Sequence, residues 1–155
     1  MEYIVSGLPL APFEPLFGLG DAALRAHGAV RIRADARPGF PCRITLEDAA
    51  PGESLLLLHW QHQPAATPYR SGGPIFVREG ARATARVRNA IPPQQRERLL
   101  SVRGYDADGW MHDADVLEGT QLETAIERFF RDPRIACLHV HNARRGCYAC
   151  RIDRA

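Results

Sequence analysis

Residues 137–155 read CLHVHNARRGCYACRIDRA, and this stretch predicts a β-hairpin. Alternation with a period of two places Cys137, His139 and His141 on one face of the first strand. Gly146 closes a short polar turn, and a second strand returns with Cys147. The hairpin gathers histidines, cysteines and arginines, so we expect it to contribute both to a sheet and to a functional site.

Length and composition predict one domain over residues 1–155. The chain has 155 residues, of which 45% are hydrophobic and 25% are charged, and these are ordinary values for a globular domain. A domain of this length buries roughly 68–70% of the surface that its unfolded chain exposes. A hydrophobic core is therefore sufficient for stability.

The charge composition argues against nucleic-acid binding. All 20 basic residues are arginine, and the formal net charge is only +2, which is too small to indicate a nucleic-acid partner. Each arginine carries a planar, permanently charged guanidinium group that suits a carboxylate or a phosphate. The composition therefore suits a small polar or anionic ligand but does not by itself indicate one.

The sequence shows neither an export signal nor a membrane segment. Its first residues lack the basic and apolar regions of a signal peptide. Continuous apolar runs such as Leu55 to Leu58 are far too short to cross a bilayer. We expect a cytoplasmic protein without a membrane partner, in which the four cysteines are reduced.

Alternation and turn signals predict a series of short strands. The turn from Asp106 to Gly109 joins strands over residues 99–105 and 110–116, because Asp and Gly tolerate the positive φ of a tight hairpin turn. Residues 55–62 are the most apolar candidate and are expected at the centre of a sheet. Residues 63–74, rich in Pro, Gly and Ser, are expected to form a loop. Further strands are predicted over residues 30–34, 42–46, 75–77 and 84–87.

Two helices are predicted. Asp21 as N-cap and Gly28 as the residue after the end delimit a short one. A second helix over residues 121–131 begins with the capping-box pattern of Thr120 and Glu123. Its apolar residues recur at helical spacing, at Leu122, Ala125, Ile126, Phe129 and Phe130. Together these elements predict an α+β domain with a mainly antiparallel sheet and one or two helices packed on one face.

Four segments, in order along the chain, carry a resemblance to a known family. They are residues 41–46 with Pro51-Gly52-Glu53 and a leucine run, residues 71–79, residues 103–107 with 113–116, and residues 139–150. Together they resemble the small bacterial family catalogued as domain of unknown function 1203. The resemblance runs from about Phe13 to Ala155 and implies one intact domain, but it implies no activity, ligand or catalytic residue.

The hairpin offers ligands for a metal. Two imidazoles and the two thiolates of the CxxC sequence from Cys147 to Cys150 suit tetrahedral zinc. In a regular strand, however, these two thiols point to opposite faces. A zinc site formed by His139, His141 and Cys147, with Cys42 as a further candidate, requires less distortion.

Cys147 is also a candidate reactive thiol. It follows Arg144, Arg145 and Gly146, and cationic neighbours lower the pKa of a thiol. A histidine across the hairpin would serve as its base. The alternative is that Cys147 is buried packing, as cysteines usually are.

An anion site is the third candidate. Ser71, Gly72 and Gly73 lie in a predicted small-residue loop, whose backbone amides and hydroxyl suit a phosphate or carboxylate. Arg78, Arg103 or Arg145 would complete such a site as a bidentate partner. The alternative is a turn that requires glycine.

Other polar residues are given structural roles. His59 and His62 lie on either side of Trp60 in a mostly apolar strand, and we expect them at the core or at a sheet edge rather than as ligands. Asp113 and Asp115 share a strand face and are candidates for a pair of carboxylates, although surface acids beside a hairpin explain the pattern equally well.

The leading hypothesis is a small module that binds a polar or anionic ligand at the C-terminal hairpin. The ligand-binding residues would be Ser71, Gly72, Gly73, Arg103, His139, His141, Asn142, Arg145 and Cys147. An enzyme that uses His139, His141 and Cys147 as a metal site, or Cys147 as a nucleophile, is one alternative. A protein–protein adaptor without a pocket is the other.

Overall fold

The computed structural model describes all residues 1–155, and its strands form two antiparallel sheets. The strands are β1 (Tyr3–Ser6), β2 (Val30–Arg33), β3 (Ser54–Gln63), β4 (Ser71–Arg78), β5 (Arg86–Arg88), β6 (Leu99–Tyr105), β7 (Met111–Glu118), β8 (Cys137–Asn142) and β9 (Tyr148–Arg154). The helices are α1 (Asp21–Ala26), α2 (Pro93–Arg96) and α3 (Leu122–Phe129). None of them is long and apolar enough to span a membrane.

The C-terminal hairpin lies at the centre of the larger sheet. This six-stranded sheet has the order β5-β1-β9-β8-β6-β7, and the smaller sheet has the order β2-β3-β4. All strand pairs are antiparallel. The predicted α+β class and the predicted hairpins are confirmed, and residues 55–62 do form part of a central strand, β3.

Helix α3 covers one face of the six-stranded sheet. Its predicted apolar stripe is buried, with Leu122 and Ile126 fully enclosed. These side chains pack with Val102 of β6 and Val140 of β8 in one hydrophobic cluster. Burial of each large side chain stabilises the fold by about 1.5–3 kcal/mol. The predicted helix therefore has the position expected for it.

The caps of the helices differ from the prediction. The capping box at the start of the α3 region is formed by Glu118 and Gln121, which precede the predicted pair of Thr120 and Glu123. Because a short 3-10 turn over Gly119–Gln121 comes before α3, the reciprocal hydrogen bonds fall two residues earlier. Similarly, Asp21 is the first residue of α1 and not its N-cap.

The opposite face of the six-stranded sheet carries the polar residues of β8 and meets the smaller sheet. A second hydrophobic cluster there joins Tyr148 of β9 with Leu56 of β3 and Ile75 of β4. Since Leu138 and Val140 face α3, period-two alternation directs His139 and His141 towards this second layer. The two histidines are therefore held between the sheets.

The predicted strand over residues 42–46 is wrong. Residues 43–45 form a turn, and Cys42 makes only an isolated bridge to Phe76 of β4. The chain folds back on itself through a hydrogen bond from the Leu46 amide to the Cys42 carbonyl, and Leu46 has a φ of 55°. Buried and exposed side chains do not alternate along this turn. The rest of the fold encloses it, and nearly all its residues are buried.

The predicted loop over residues 63–74 is shorter in the structure. Ser71, Gly72 and Gly73 begin β4, where Gly73 pairs with Trp60 and Ser71 pairs with Gln63. Glycine and proline are usually unfavourable in strands, but pairing with the long apolar strand β3 overrides that tendency. The backbone amides of this segment therefore lie in a sheet and not in a free loop.

Candidate functional site

Three histidines converge between the sheets, and we call them the histidine cluster: His62, His139 and His141. One ring nitrogen of each lies within 4.8 Å of those of the other two. His62 comes from β3 of the smaller sheet, whereas the other two come from β8 of the larger one. His139 and His141 are only 2% and 1% exposed, so the cluster is an interior feature that bridges the two sheets.

Two β-bulges flank the histidine cluster, one in each sheet. The β3–β4 register shifts between Trp60 and Gln63, so His62 lies within the bulge. The β8–β9 register shifts between Val140 and His141. A bulge re-aims the side chains of its strand. The convergence of the histidines therefore depends on local departures from regular alternation.

Gly72 allows the first bulge to form. A Cβ atom at this position would lie 2.8 Å from the carbonyl oxygen of Trp60 and 2.7 Å from Cε1 of His59. Real Cβ atoms do not approach backbone so closely, so any side chain would force the strands apart. Gly72 thus supports the position of His62 without itself facing the cluster.

Each imidazole leaves one buried nitrogen unpaired. These atoms are Nδ1 of His62, Nδ1 of His139 and Nε2 of His141. Nδ1 of His141 lies 3.0 Å from the carbonyl oxygen of Gly146. Because a carbonyl can only accept, Nδ1 of His141 must donate, and its Nε2 therefore presents a lone pair in the neutral ring.

Burial keeps the three imidazoles uncharged. Desolvation lowers the pKa of His139 to about 3, and it lowers the pKa values of His62 and His141 to about 4. The positive charge of Arg103, which pairs with His139 in the β6–β8 register, lowers all three pKa values further. The neutral imidazole that results is the form that binds metals.

Aromatic rings surround the histidine cluster. Tyr148 stacks on His62, with ring centroids 5.1 Å apart and an interplanar angle of 7°. The ring of Tyr105 lies 4.8 Å from that of His139. These rings pack against the imidazoles of the cluster.

A second feature is a cleft beside the turn of the hairpin, which we call the arginine cleft. It has a volume of about 520 Å³ and is lined by four arginines, Arg43, Arg98, Arg144 and Arg145. Its apolar lining includes Leu57, Ile75, Phe76 and Leu99, together with Pro41 and Pro74. The volume lies within the range of roughly 300–1,000 Å³ that is typical of small-molecule sites.

Arg43 is the deepest charge of the cleft. It is 3% exposed, its Nε donates to the carbonyl of Tyr148 at 2.7 Å, and its Nη1 donates to the carbonyl of Pro41 at 2.6 Å. Burial lowers its pKa to about 10, so the side chain remains positively charged at neutral pH. No carboxylate forms an ion pair with it, and its Nη2 has no hydrogen-bond partner in the protein.

The other charges of the cleft lie nearer to solvent. Arg98 is paired with Asp48 at 2.6 Å, whereas Arg144 and Arg145 are exposed and form no ion pair. Two exposed acids, Glu97 and Glu118, also line the cleft. The arginines outnumber the acids, so the cleft is positive overall.

The predicted ligand-binding residues divide between these two features. Asn142, Arg145 and Cys147 line the arginine cleft, whereas His139 and His141 belong to the histidine cluster with Arg103 beside them. The segment Ser71-Gly72-Gly73 lines neither of them. Arg43 of the cleft was not among the predicted site residues, because nothing in its local sequence distinguishes it from the other arginines.

The predicted metal site combined two histidines with a cysteine, whereas the structure brings together three histidines. His139 and His141 come together with His62 rather than with Cys147. Tyr148 follows Cys147 and takes the place beside the histidines, while Cys42 is buried in the second hydrophobic cluster. His62, to which we assigned a structural role, is the member of this cluster that the sequence analysis did not place beside His139 and His141.

The four cysteines are all free, and only Cys147 is not buried. Its Sγ lies 3.8 Å from the carbonyl oxygen of Arg145, and no histidine forms a hydrogen bond with it. Cys150 lies in the core beneath α3, where burial raises the pKa of its thiol to about 12. The CxxC pair therefore does not converge on one site.

Comparison with protein families identifies one match. The family model described as "Protein of unknown function (DUF1203)" matches residues 39–154, a range that contains both the histidine cluster and the arginine cleft. Comparisons with curated proteins and with solved structures find no match. Since the matched range covers most of the sequence, the chain belongs to this family of unknown function, DUF1203.

Proposed function

We propose that this protein binds a small organic anion in the arginine cleft. The observation that carries the proposal is Arg43, a buried guanidinium group that lines the cleft and has no carboxylate partner. Removing a charge from water without a counter-ion is strongly unfavourable. An anionic ligand would supply the missing partner.

Arg43 is oriented before any ligand arrives. Its hydrogen bonds from Nε to Tyr148 and from Nη1 to Pro41 hold the guanidinium plane in place and leave Nη2 available. A rigid donor loses little conformational entropy on binding, which favours affinity. Arg144 and Arg145, on the turn of the hairpin, add long-range attraction for an anion entering from solvent.

The lining of the cleft defines the chemical class of the ligand. Leu57, Ile75 and Phe76 provide an apolar surface close to the buried cation. An apolar surface beside a few oriented polar groups is typical of small-molecule sites. We therefore infer a ligand with a carboxylate or phosphate head and an apolar body, of the size of a substituted benzene ring. An adaptor without a pocket fits this surface less well.

Cys147 provides a reporter for the test. It lines the cleft and is the one cysteine that is not buried, so its alkylation by iodoacetamide reports access to the site. Phenyl phosphate and phenol share an apolar ring, but only the first carries the anionic head. We expect phenyl phosphate to slow alkylation of Cys147 and phenol to have little effect at the same concentration.

Variants separate binding from indirect effects. Arg43→Gln should abolish the protection by phenyl phosphate, whereas Arg82→Gln, which removes an exposed arginine outside the cleft lining, should retain it. If Arg43→Gln does not fold, Arg145→Gln on the exposed turn serves in its place and should weaken the protection. Equal protection by phenol, or full protection in both cleft variants, would refute anion binding here.

A further inference from the structure

The three unpaired nitrogens of the histidine cluster call for a common partner. His62, His139 and His141 each bury a ring nitrogen that no protein group satisfies. Buried polar atoms in folded proteins are nearly always hydrogen-bonded, so an orphaned one requires an explanation. The ring nitrogens of these three side chains lie within 4.8 Å of one another. A single bound partner would therefore account for all three unpaired atoms.

We propose that the histidine cluster binds one divalent transition-metal ion, such as zinc, through its three imidazoles. The ion would accept a lone pair from each ring and so satisfy all three histidines at once. A His-x-His pair on β8 gives two ligands from the same strand face, and His62 approaches from the other sheet. This site is separate from the arginine cleft, whose lining includes none of these histidines.

The donor set selects the class of metal. Imidazole nitrogens suit zinc, copper, nickel and iron. Calcium and magnesium require oxygen ligands, and the cluster contains no carboxylate. We therefore expect selectivity for transition metals over the alkaline earths.

The surroundings of His141 match those of a metal ligand. A ligating histidine usually donates its second ring nitrogen to a carbonyl or carboxylate, which fixes the tautomer and the ring orientation. His141 makes this bond to the carbonyl of Gly146. Its Nε2, one of the unpaired atoms, therefore has its lone pair available for the ion.

Small side-chain movements would complete the coordination. Nitrogens about 2.0–2.1 Å from a tetrahedral zinc ion are about 3.3–3.4 Å apart, whereas the ring nitrogens of the cluster lie within 4.8 Å of one another. Rotation of the rings about their side-chain bonds closes this difference. Because the histidines come from both sheets, the bound ion would also link β3 to β8.

Three protein ligands leave a coordination position open. Structural zinc sites use four protein ligands, whereas sites with three hold a water or an exogenous ligand in the fourth position. Arg103 lies beside the cluster and forms no ion pair, so an anion in that position would have a charged neighbour. A bound ion of this kind acts as a Lewis acid and lowers the pKa of coordinated water.

Metal analysis of the full chain tests this site. The protein is dialysed against zinc, freed of unbound metal, and assayed for zinc by mass spectrometry, and a second sample is loaded with cobalt for visible absorption. We expect one zinc ion per chain and an intense visible spectrum from low-coordinate cobalt. Substoichiometric zinc together with the weak spectrum of hydrated cobalt would overturn the proposal.

A matched pair of variants locates the ion. His62→Ala should lower zinc affinity more than about 100-fold, since even outer partners of metal ligands contribute 10–100-fold. His59→Ala removes an exposed histidine of the same strand and should leave affinity unchanged. If His62→Ala does not fold, His62→Gln replaces it. Zinc bound equally tightly by the folded His62 variant and the His59 variant would also overturn the proposal.

One further variant separates the two sites. Arg43→Gln should lose protection by phenyl phosphate but retain one zinc ion per chain, whereas His62→Ala should show the reverse. Loss of zinc binding alone would remove the metal site and leave the arginine cleft unaffected. Loss of phenyl phosphate binding alone would remove the proposed function and leave the metal site unaffected.

Discussion

Nδ1 of His141 donates a hydrogen bond to the carbonyl oxygen of Gly146, 3.0 Å away across the turn of the C-terminal hairpin. Gly146 lies between Arg145 and Cys147, which both line the arginine cleft. The backbone of one turn therefore supports the proposed metal ligand on one side and the proposed anion site on the other. Changes in this turn should affect both sites.

Substitution of Gly146 tests this shared support. Gly146 has a φ of 77°, a conformation that costs other L-residues roughly 1–2 kcal/mol. In Gly146→Ala, we expect a loss of stability of this order and, as the carbonyl shifts, a reduction in zinc affinity of about 10–100-fold. Chemical denaturation and competitive zinc titration measure the two effects. Unchanged zinc affinity would show that the hydrogen bond does not orient His141.

Gly72 provides a test of the bulge in β3. A side chain at Gly72 would collide with the Trp60 carbonyl, whereas nothing lies within 4 Å of the same position at Gly73. We expect Gly72→Ala to destabilise the fold by roughly 1–3 kcal/mol and to weaken zinc binding through His62. Gly73→Ala is the matched control and should change zinc affinity little. Denaturation curves and zinc titrations of the two variants decide between these outcomes.

Acid stability should depend on Glu79. The guanidinium group of Arg31, at 2.7 Å, and the amide of Gly18 lower the pKa of this carboxyl from 4.5 to about 2. Because the pKa is lower in the folded state, the contribution to stability is complete above about pH 4.5 and declines as the pH falls towards 2.

The variant Glu79→Gln should therefore be less stable than the wild type at pH 7, by about 1.5–3 kcal/mol. The difference in unfolding free energy should shrink as the pH is lowered from 5 to 3. Urea denaturation at several pH values measures it. A difference that stays constant over this range would show that ionisation of Glu79 is not the source of the stability.

The exposed arginines should steer charged reagents to Cys147. Iodoacetate is anionic and iodoacetamide is neutral, so the ratio of their rates cancels the reactivity of the thiol itself. Replacing Arg144 and Arg145 by Gln should lower this ratio roughly two- to fivefold, since an exposed charge pair contributes about 0.2–1 kcal/mol. Added salt should lower the wild-type ratio as well. A ratio that is the same in the variant and the wild type would contradict a role for these charges.

Local sequence patterns predicted most of the strands and the main helix of the molecule. Short-range sequence patterns predicted the turn from Asp106 to Gly109, the apolar stripe of α3 and the β8–β9 hairpin. Tertiary contacts do not override these patterns. The strand predicted over residues 42–46 from alternation and turn signals was wrong, because the structure buries nearly all of a turn between other elements there. The loop predicted for Ser71 to Gly73 was wrong because pairing with β3 outweighs the local preference for a loop.

Two of the three histidines of the cluster could be predicted in the same way. The spacing of His139 and His141 indicated a shared strand face, and the structure places both rings there. His62 could not be predicted, because it belongs to another sheet and is aimed by a bulge that no local pattern shows. The role of Arg43 could not be predicted for a similar reason, because its lack of a counter-ion is a property of the tertiary structure.

Direct titration of phenyl phosphate tests the central claim, anion binding at Arg43. Isothermal calorimetry is carried out in the presence of a chelator, so that no metal contributes to the signal. The wild type should bind one equivalent, phenol should not bind measurably, and Arg43→Gln should bind at least about tenfold more weakly, as expected when a hydrogen bond to a charged partner is lost. Equal affinities of the wild type and a folded Arg43→Gln variant for phenyl phosphate would contradict the account.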